Sequence, residues 1–144
     1  MAMADPSLDQ VMKAYAEDAV KAAGRRGRVL DYSEQSLTIV DELLGSEAFV
    51  GRTPRTPETP DDEEVLWVAA KAFGGYVGEV VLRGLGGEWL GEEAPEGGTR
   101  PTLVVQGLRA YPVDKVWKRL TKSEYDTLGG YCRALRHILS QRRK

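Results

Sequence analysis

The chain has 144 residues, of which 42% are hydrophobic and 29% charged, and its formal net charge is -2. This length and composition indicate one folded domain, 1–144. The near-neutral charge gives no bulk attraction to nucleic acid or to an anionic membrane surface. One cysteine and one histidine exclude an intramolecular disulfide and a Cys/His zinc site. The first ten residues lack the basic and apolar regions of a secretory signal, so we expect a cytoplasmic domain without metal or cofactor.

Two helices are predicted before residue 46. Asp5 is a good N-cap and Pro6 suits the first helical position, where its missing N–H has no cost. Apolar residues then recur at helical spacing as far as Gly24, which is expected to end the first helix. Ser33 is expected to cap a second helix that ends at Gly45.

A proline-rich segment, 46–64, follows the second helix. It contains three prolines at a spacing of three, together with threonines and acidic residues. This composition predicts a solvated loop, and its length for a compact domain suggests that it is either mobile or functional. Asp61 and Asp62 at its end are expected to cap the next helix.

The most apolar stretch, 65–84, is predicted to be a central helix. One face carries large apolar side chains, whereas the opposite face carries Gly75 and Gly78. A glycine in a helix interior costs about 0.5–1 kcal/mol relative to alanine, so exposed glycines would be a poor choice there. We therefore expect neighbouring elements to approach the helix closely on its glycine side as well. Lys71 and Glu79 interrupt the run, which falls short of a membrane span.

Residues 86–112 are predicted to form an antiparallel hairpin. The first strand covers 88–92, and the second covers 102–111 with a bulge at Gly107. Pro112 is expected to open a short helix.

The chain is expected to end in a last helix, preceded by a capping box from Thr121 to Glu124. Residues 141–144 are expected to form a frayed basic tail. The fold class predicted from the whole chain is α+β, with about four helices and a central glycine-containing helix packed against a small antiparallel sheet.

Few side chains suggest chemistry. Glu79 is interpreted either as the partner of Arg83, four residues on, or as a desolvated carboxylate in a cleft that acts as acid, base or polar anchor. Asp31 and Ser33 stand at a helix start, where capping and anion binding use the same groups. His137 is expected on the surface and Cys132 in the core, so neither Ser/His nor Cys/His catalysis is expected.

Three segments carry a resemblance: LDYSEQSL, GGYVGEVVLRGLGGEW and YPVDKVWKRLTKSEYDTLGGYCRAL. In this order they resemble a family of small uncharacterised bacterial proteins, a domain of unknown function with the motifs DYSxxSL … GxYxGEVxxxxxGGxW … PxxKVxKRL. The match covers 29–135 and implies no activity. Its motif residues here are Asp31, Tyr32, Ser33, Leu37, Tyr76, Gly78, Glu79, Trp89, Pro112, Lys115, Val116 and Lys118. A shared site would involve Tyr76, Glu79, Trp89 and Lys115, which caps and turns explain less well.

No complete catalytic set is present, so we expect a non-catalytic binding or protein-interaction domain of immunity or regulatory type. The alternative is a small enzyme that uses Glu79 with Asp31 or Lys115 in a cleft near Trp89. The expected partner is another protein, and neither a membrane nor nucleic acid is expected. The residues predicted to form the binding site are Tyr76, Glu79, Trp89, Lys115, Asp31 and Ser33.

Overall fold

The structure is a computed structural model that describes residues 7–45, 62–95, 97–121 and 127–142. Its elements in chain order are α1 (Leu8–Gly24), α2 (Ser36–Leu44), α3 (Asp62–Leu85), β1 (Glu88–Glu93), β2 (Thr99–Val105), β3 (Leu108–Ala110), α4 (Pro112–Thr121) and α5 (Leu128–Arg142). The α+β class is confirmed, and the described residues form five helices where about four were expected.

The helix α3 begins at Asp62, which agrees with the cap expected at the end of the proline-rich segment, so residues 62–64 are helical. The rest of that segment, 46–61, lies outside the described residues. Residues 141 and 142 belong to α5 rather than to a frayed tail, and 143–144 are not described. Packing elsewhere along α5 holds its charged end in helical geometry.

The helix α3 is the centre of the fold, and its glycines bring neighbouring helices close. A Cβ atom added at Gly75 would lie 2.9 Å from the Met12 carbonyl oxygen and 2.9 Å from the Tyr15 Cβ, both in α1. One added at Gly74 would lie 2.6 Å from the Cα of Val113, at the start of α4. The prediction that neighbours cover the glycine side of this helix is therefore confirmed. Within the described ranges, no helix is long and apolar enough to cross a membrane.

The hydrophobic core surrounds α3 and receives side chains from every helix and from the sheet. Burial of apolar area at this scale is the main term that favours folding. The largest fully buried side chains are Tyr76, Met12, Leu37, Leu44, Leu103, Leu128, Val40, Val77, Val80, Val81, Val105 and Val116.

The sheet has three antiparallel strands in the order β1-β2-β3. Trp89 pairs with Leu103, which pairs in turn with Ala110, so these three side chains share the buried face. The predicted second strand is in fact two strands, and Gly107 is not a bulge. Gln106 and Gly107 have φ of 51° and 83° and form a two-residue turn between them. Two left-handed residues match the right-handed twist of the strands that they connect.

The first helix begins two residues later than a cap at Asp5 would place it. Its N-cap is Ser7, whose hydroxyl accepts from the Gln10 N–H at 3.2 Å. The Gln10 side chain in turn accepts from the Ser7 N–H, which completes a capping box. The end of the helix at Gly24 is as predicted.

The last helix starts at Leu128 rather than after a capping box at Thr121, which ends α4. The Thr127 hydroxyl accepts from the Gly130 N–H at 3.1 Å. Asp41, from the distant α2, accepts from the Leu128 N–H at 2.9 Å. Glu124 lies outside the described residues.

Candidate functional site

The six side chains predicted to form a site lie in three separate contact groups. The first group is the turn before α2 together with the Tyr76 hydroxyl, the second is the buried contact of Glu79 with Trp89, and the third is an open groove beside Lys115. Asp31 and Ser33 belong to the first group.

In the turn before α2, polar groups satisfy one another. The Tyr76 hydroxyl accepts from the backbone N–H of Tyr32 at 2.7 Å and shares a 2.6 Å hydrogen bond with the Ser36 hydroxyl. The Asp31 carboxylate accepts from the Ser33 N–H at 3.1 Å and from its hydroxyl at 2.6 Å, and these bonds lower the pKa of Asp31. The Ser33 oxygen accepts from the Ser36 N–H at 3.2 Å. Ser33 thus binds the first residue of α2, but the N-cap of the helix is Gln35, which makes no side-chain capping bond, so the cap predicted at Ser33 is wrong.

The turn is strained at Tyr32, whose φ of 66° is unusual for a bulky residue. Its ring centroid lies 4.8 Å from that of Tyr76, and the Arg83 guanidinium lies over the Tyr32 ring, 3.8 Å from its centroid. These contacts hold the residue in a conformation that costs about 1–3 kcal/mol. Arg83 therefore stacks on Tyr32, and among the ion pairs of the described residues none joins it to Glu79.

Glu79 is buried, with 4% of its surface exposed, and its carboxylate accepts from the Trp89 indole N–H at 3.0 Å. Trp89 is itself only 7% exposed. Its ring lies on Gly78, where a Cβ atom would come closer than 3.0 Å to the indole. The Trp89 indole thus packs on Gly78 and hydrogen-bonds the adjacent Glu79, and these two contacts hold β1 against α3.

Replacing Tyr76 with phenylalanine is expected to lower the free energy of unfolding by about 1–3 kcal/mol, because the Tyr32 N–H and the Ser36 hydroxyl lose a buried partner. Urea unfolding measures this change. Tyr15→Phe is the matched control, since this partly buried tyrosine has no hydroxyl partner among the described residues. Equal losses in the two variants would contradict a role for the Tyr76 hydroxyl.

Lys115 lines an open groove of about 610 Å³ between β3, α4 and α5, which we call the α4–α5 groove. Its ammonium lies 5.6 Å from the centroid of the Tyr131 ring. The side chains that matter for recognition are the basic Arg109, Lys115 and Lys118, the acidic Asp114, the aromatic Tyr111, Trp117 and Tyr131, and the aliphatic Leu135 and Ile138.

One of the aromatic side chains in the groove is held in place by stacking. Trp117 stacks on Trp67 of α3 with ring centroids 3.9 Å apart and planes 6° apart. Burial raises the pKa of Tyr131 to about 12, so its phenol stays neutral at physiological pH. Ile138 of α5 is 43% exposed and presents an aliphatic side chain to solvent. The Trp117 part of the groove wall is thus preorganised.

Cys132 is a core residue, as its spacing predicted. Only 2% of it is exposed, and its thiol donates to Glu34 at 3.1 Å. Burial and this hydrogen bond raise the pKa of the thiol to about 12, which makes it a poor nucleophile. His137 is exposed.

The part of the chain that the structure describes contains no group of three or more His, Cys, Asp and Glu side chains that could hold a metal ion. No family model, no curated protein and no solved structure matches the chain. The resemblance to a family of unknown function thus stays a prediction.

Sequence reasoning selected Lys115 but missed the groove around it. A signal was present in α4, where Lys115 and Lys118 are three residues apart and therefore lie on the same face of the helix, with Trp117 between them in the sequence. Nothing in the sequence indicates that Tyr131 and Ile138 of α5 face the same space, because that depends on how two helices pack.

Proposed function

We propose that the chain is a non-catalytic binding protein that takes an acidic segment of another protein into the α4–α5 groove. The observation that carries this proposal is the combination of basic and aromatic side chains around one open groove. Of the lining residues named above, three are basic and one is acidic. Arg109 is already paired with Glu92 at 2.6 Å, so the positive charge of the groove comes from Lys115 and Lys118, although the whole chain carries a net charge of -2.

The apolar walls supply the second half of the recognition. Exposed aliphatic and aromatic side chains in a preformed groove gain free energy when a partner's apolar side chain displaces water from them. Ile138 and Trp117 offer such a surface on opposite walls. Lys118 is exposed and has no acidic partner among the described residues, so a partner's carboxylate can reach it without breaking an existing ion pair.

The enzyme alternative has less support. Glu79 bonds the buried Trp89 indole, Asp31 bonds Ser33 in the turn before α2, and Lys115 lines the α4–α5 groove. A catalytic pair must reach a common substrate, whereas these three groups have separate partners.

Selection of short random peptides against the immobilised protein tests the proposal. We expect enrichment of sequences that combine Asp or Glu with an aliphatic or aromatic anchor, and an affinity that falls as salt rises. Lys118→Glu is expected to lower the affinity for the selected peptide by about tenfold or more. Lys13→Glu, an exposed lysine of α1, is the matched control and is expected to leave affinity unchanged.

Two outcomes would contradict the proposal. The first is the enrichment of peptides without acidic residues, or an equal loss of affinity with Lys13→Glu and Lys118→Glu. Either result would show that the groove does not select its ligand by charge. A single-stranded oligonucleotide that binds more tightly than any peptide, and is lost with Lys118→Glu, would assign the groove to nucleic acid instead.

A further inference from the structure

A second cleft, of about 400 Å³, lies between α1, the first part of α3, residues 97–101 and the start of α4. This volume is within the range of small-molecule sites. Trp67 lines the cleft and Trp117 lines the α4–α5 groove, so their stack stands between the two cavities, which share Asp114 in their walls. The cleft requires neither the groove nor the function proposed for it.

The inner part of this cleft is apolar and rigid. Tyr15 and Val11 of α1 face Trp67 of α3, and the buried Val113 lies at the start of α4. The stack on Trp117 holds the Trp67 ring, so its exposed face is a preformed wall. A hydrophobic tail can be buried here without much rearrangement of the protein.

The outer part is positive. Lys71 follows Trp67 by four residues in α3 and therefore stands on the same face, at the edge of the cleft. It is exposed and has no carboxylate partner among the described residues. Arg100 pairs with Asp114 only at 3.7 Å, with side chains 32% and 40% exposed. The three charges that the described lining residues contribute sum to +1.

We propose that this cleft binds a small molecule with a hydrophobic tail and one terminal carboxylate. The tail lies against Trp67 and Tyr15, and the carboxylate meets Lys71 and Arg100. An ammonium and a guanidinium both donate charge-assisted hydrogen bonds to a carboxylate. The long Arg100–Asp114 contact leaves the guanidinium able to turn toward a ligand.

Calorimetric titration of the full chain with octanoate, octanol and octylammonium tests this assignment, with the two ions below their micellar concentrations and octanol below its solubility limit. Octanoate is expected to bind about tenfold more tightly than octanol, and octylammonium more weakly than either, because only the carboxylate complements the positive edge. From hexanoate to octanoate the affinity is expected to rise about tenfold, since each buried methylene contributes roughly three- to fourfold.

Three variants locate the site. Lys71→Met keeps the approximate length of the side chain but removes its charge. It is expected to lower the affinity for octanoate by about tenfold and to leave the affinity for octanol unchanged. Lys118→Met, the same change in the α4–α5 groove, is expected to alter neither. Val11→Trp fills the cleft and is expected to abolish binding of both ligands; its fold is checked by urea unfolding.

The assignment is overturned if octanol binds as tightly as octanoate, if Lys118→Met weakens octanoate as much as Lys71→Met, or if octanoate does not bind. Should Val11→Trp not fold, the contrast between the two lysine variants decides alone. Failure here leaves peptide binding in the α4–α5 groove unaffected, and the reverse holds as well.

Discussion

Replacing Gly78 with alanine is expected to lower the free energy of unfolding by about 2–3 kcal/mol. The added methyl group would come closer than 3.0 Å to the Trp89 ring, which must then move. Overpacking of this kind costs about 1–3 kcal/mol. Movement of the ring also weakens the bond from its N–H to the buried Glu79, which adds to the loss. The gain of about 0.5–1 kcal/mol from replacing a helical glycine offsets only part of this.

Gly84→Ala is the control for Gly78→Ala because it makes the same change in the same helix. Its methyl group would meet only the Arg136 Nη2 at 3.3 Å, the end of a flexible side chain. We expect it to raise stability by about 0.5–1 kcal/mol, the usual effect of alanine in place of glycine. Urea unfolding measures both variants.

A double-mutant cycle identifies the cause. In a Trp89→Phe background the ring is smaller, so the cost of Gly78→Ala is expected to fall. If Gly78→Ala were neutral, or equally costly in both backgrounds, the indole would not be what the missing side chain accommodates.

Replacing Asp41 with alanine is expected to lower the free energy of unfolding by about 3–4 kcal/mol. Its carboxylate lies 3.8 Å from the Nε of Arg119, whose side chain is only 8% exposed, and removing one partner of a buried pair leaves an uncompensated charge. The Arg119 Nε has no hydrogen-bond partner among the described residues, and the one bond that the variant leaves to this guanidinium runs from Nη2 to the backbone carbonyl of residue 41 at 3.2 Å. The same substitution removes the acceptor of the Leu128 N–H at the start of α5.

Asp41→Asn separates the two contributions. Its amide oxygen can still accept from the first N–H groups of α5, but it carries no charge for Arg119, so an intermediate loss is expected. Glu42→Ala is the control, because the neighbouring Glu42 pairs with Arg28 on the surface, where the two side chains are 55% and 39% exposed. Such pairs contribute about 0–1 kcal/mol. Comparable losses at 41 and 42 would rule out the buried contacts as the cause.

The glycine positions of α3 explain how the rest of the molecule is arranged. Gly75 admits α1, Gly74 admits α4 and Gly78 admits the Trp89 ring of β1. The approach of α1 and α4 to α3 also forms two walls of the second cleft. Gly74 and Gly75 therefore influence the second cleft indirectly, because they set how closely α1 and α4 approach α3.

The sequence by itself determined the α+β class, the central helix and the need for close neighbours on its glycine face. These follow from local rules: apolar spacing along one segment, and the cost of glycine in a helix unless its missing side chain is used. It also determined that Cys132 would be buried, since its helical spacing from other apolar residues places it on the inner face of α5.

Only the tertiary structure decided which polar groups meet. Glu79 meets Trp89 rather than Arg83, and Asp41 reaches the start of α5 across 87 positions of the chain. It also separated the predicted site residues into three groups and placed Lys115 beside Tyr131 in the α4–α5 groove. Spacing along one element does not report the packing angles between elements, and these angles set every such contact.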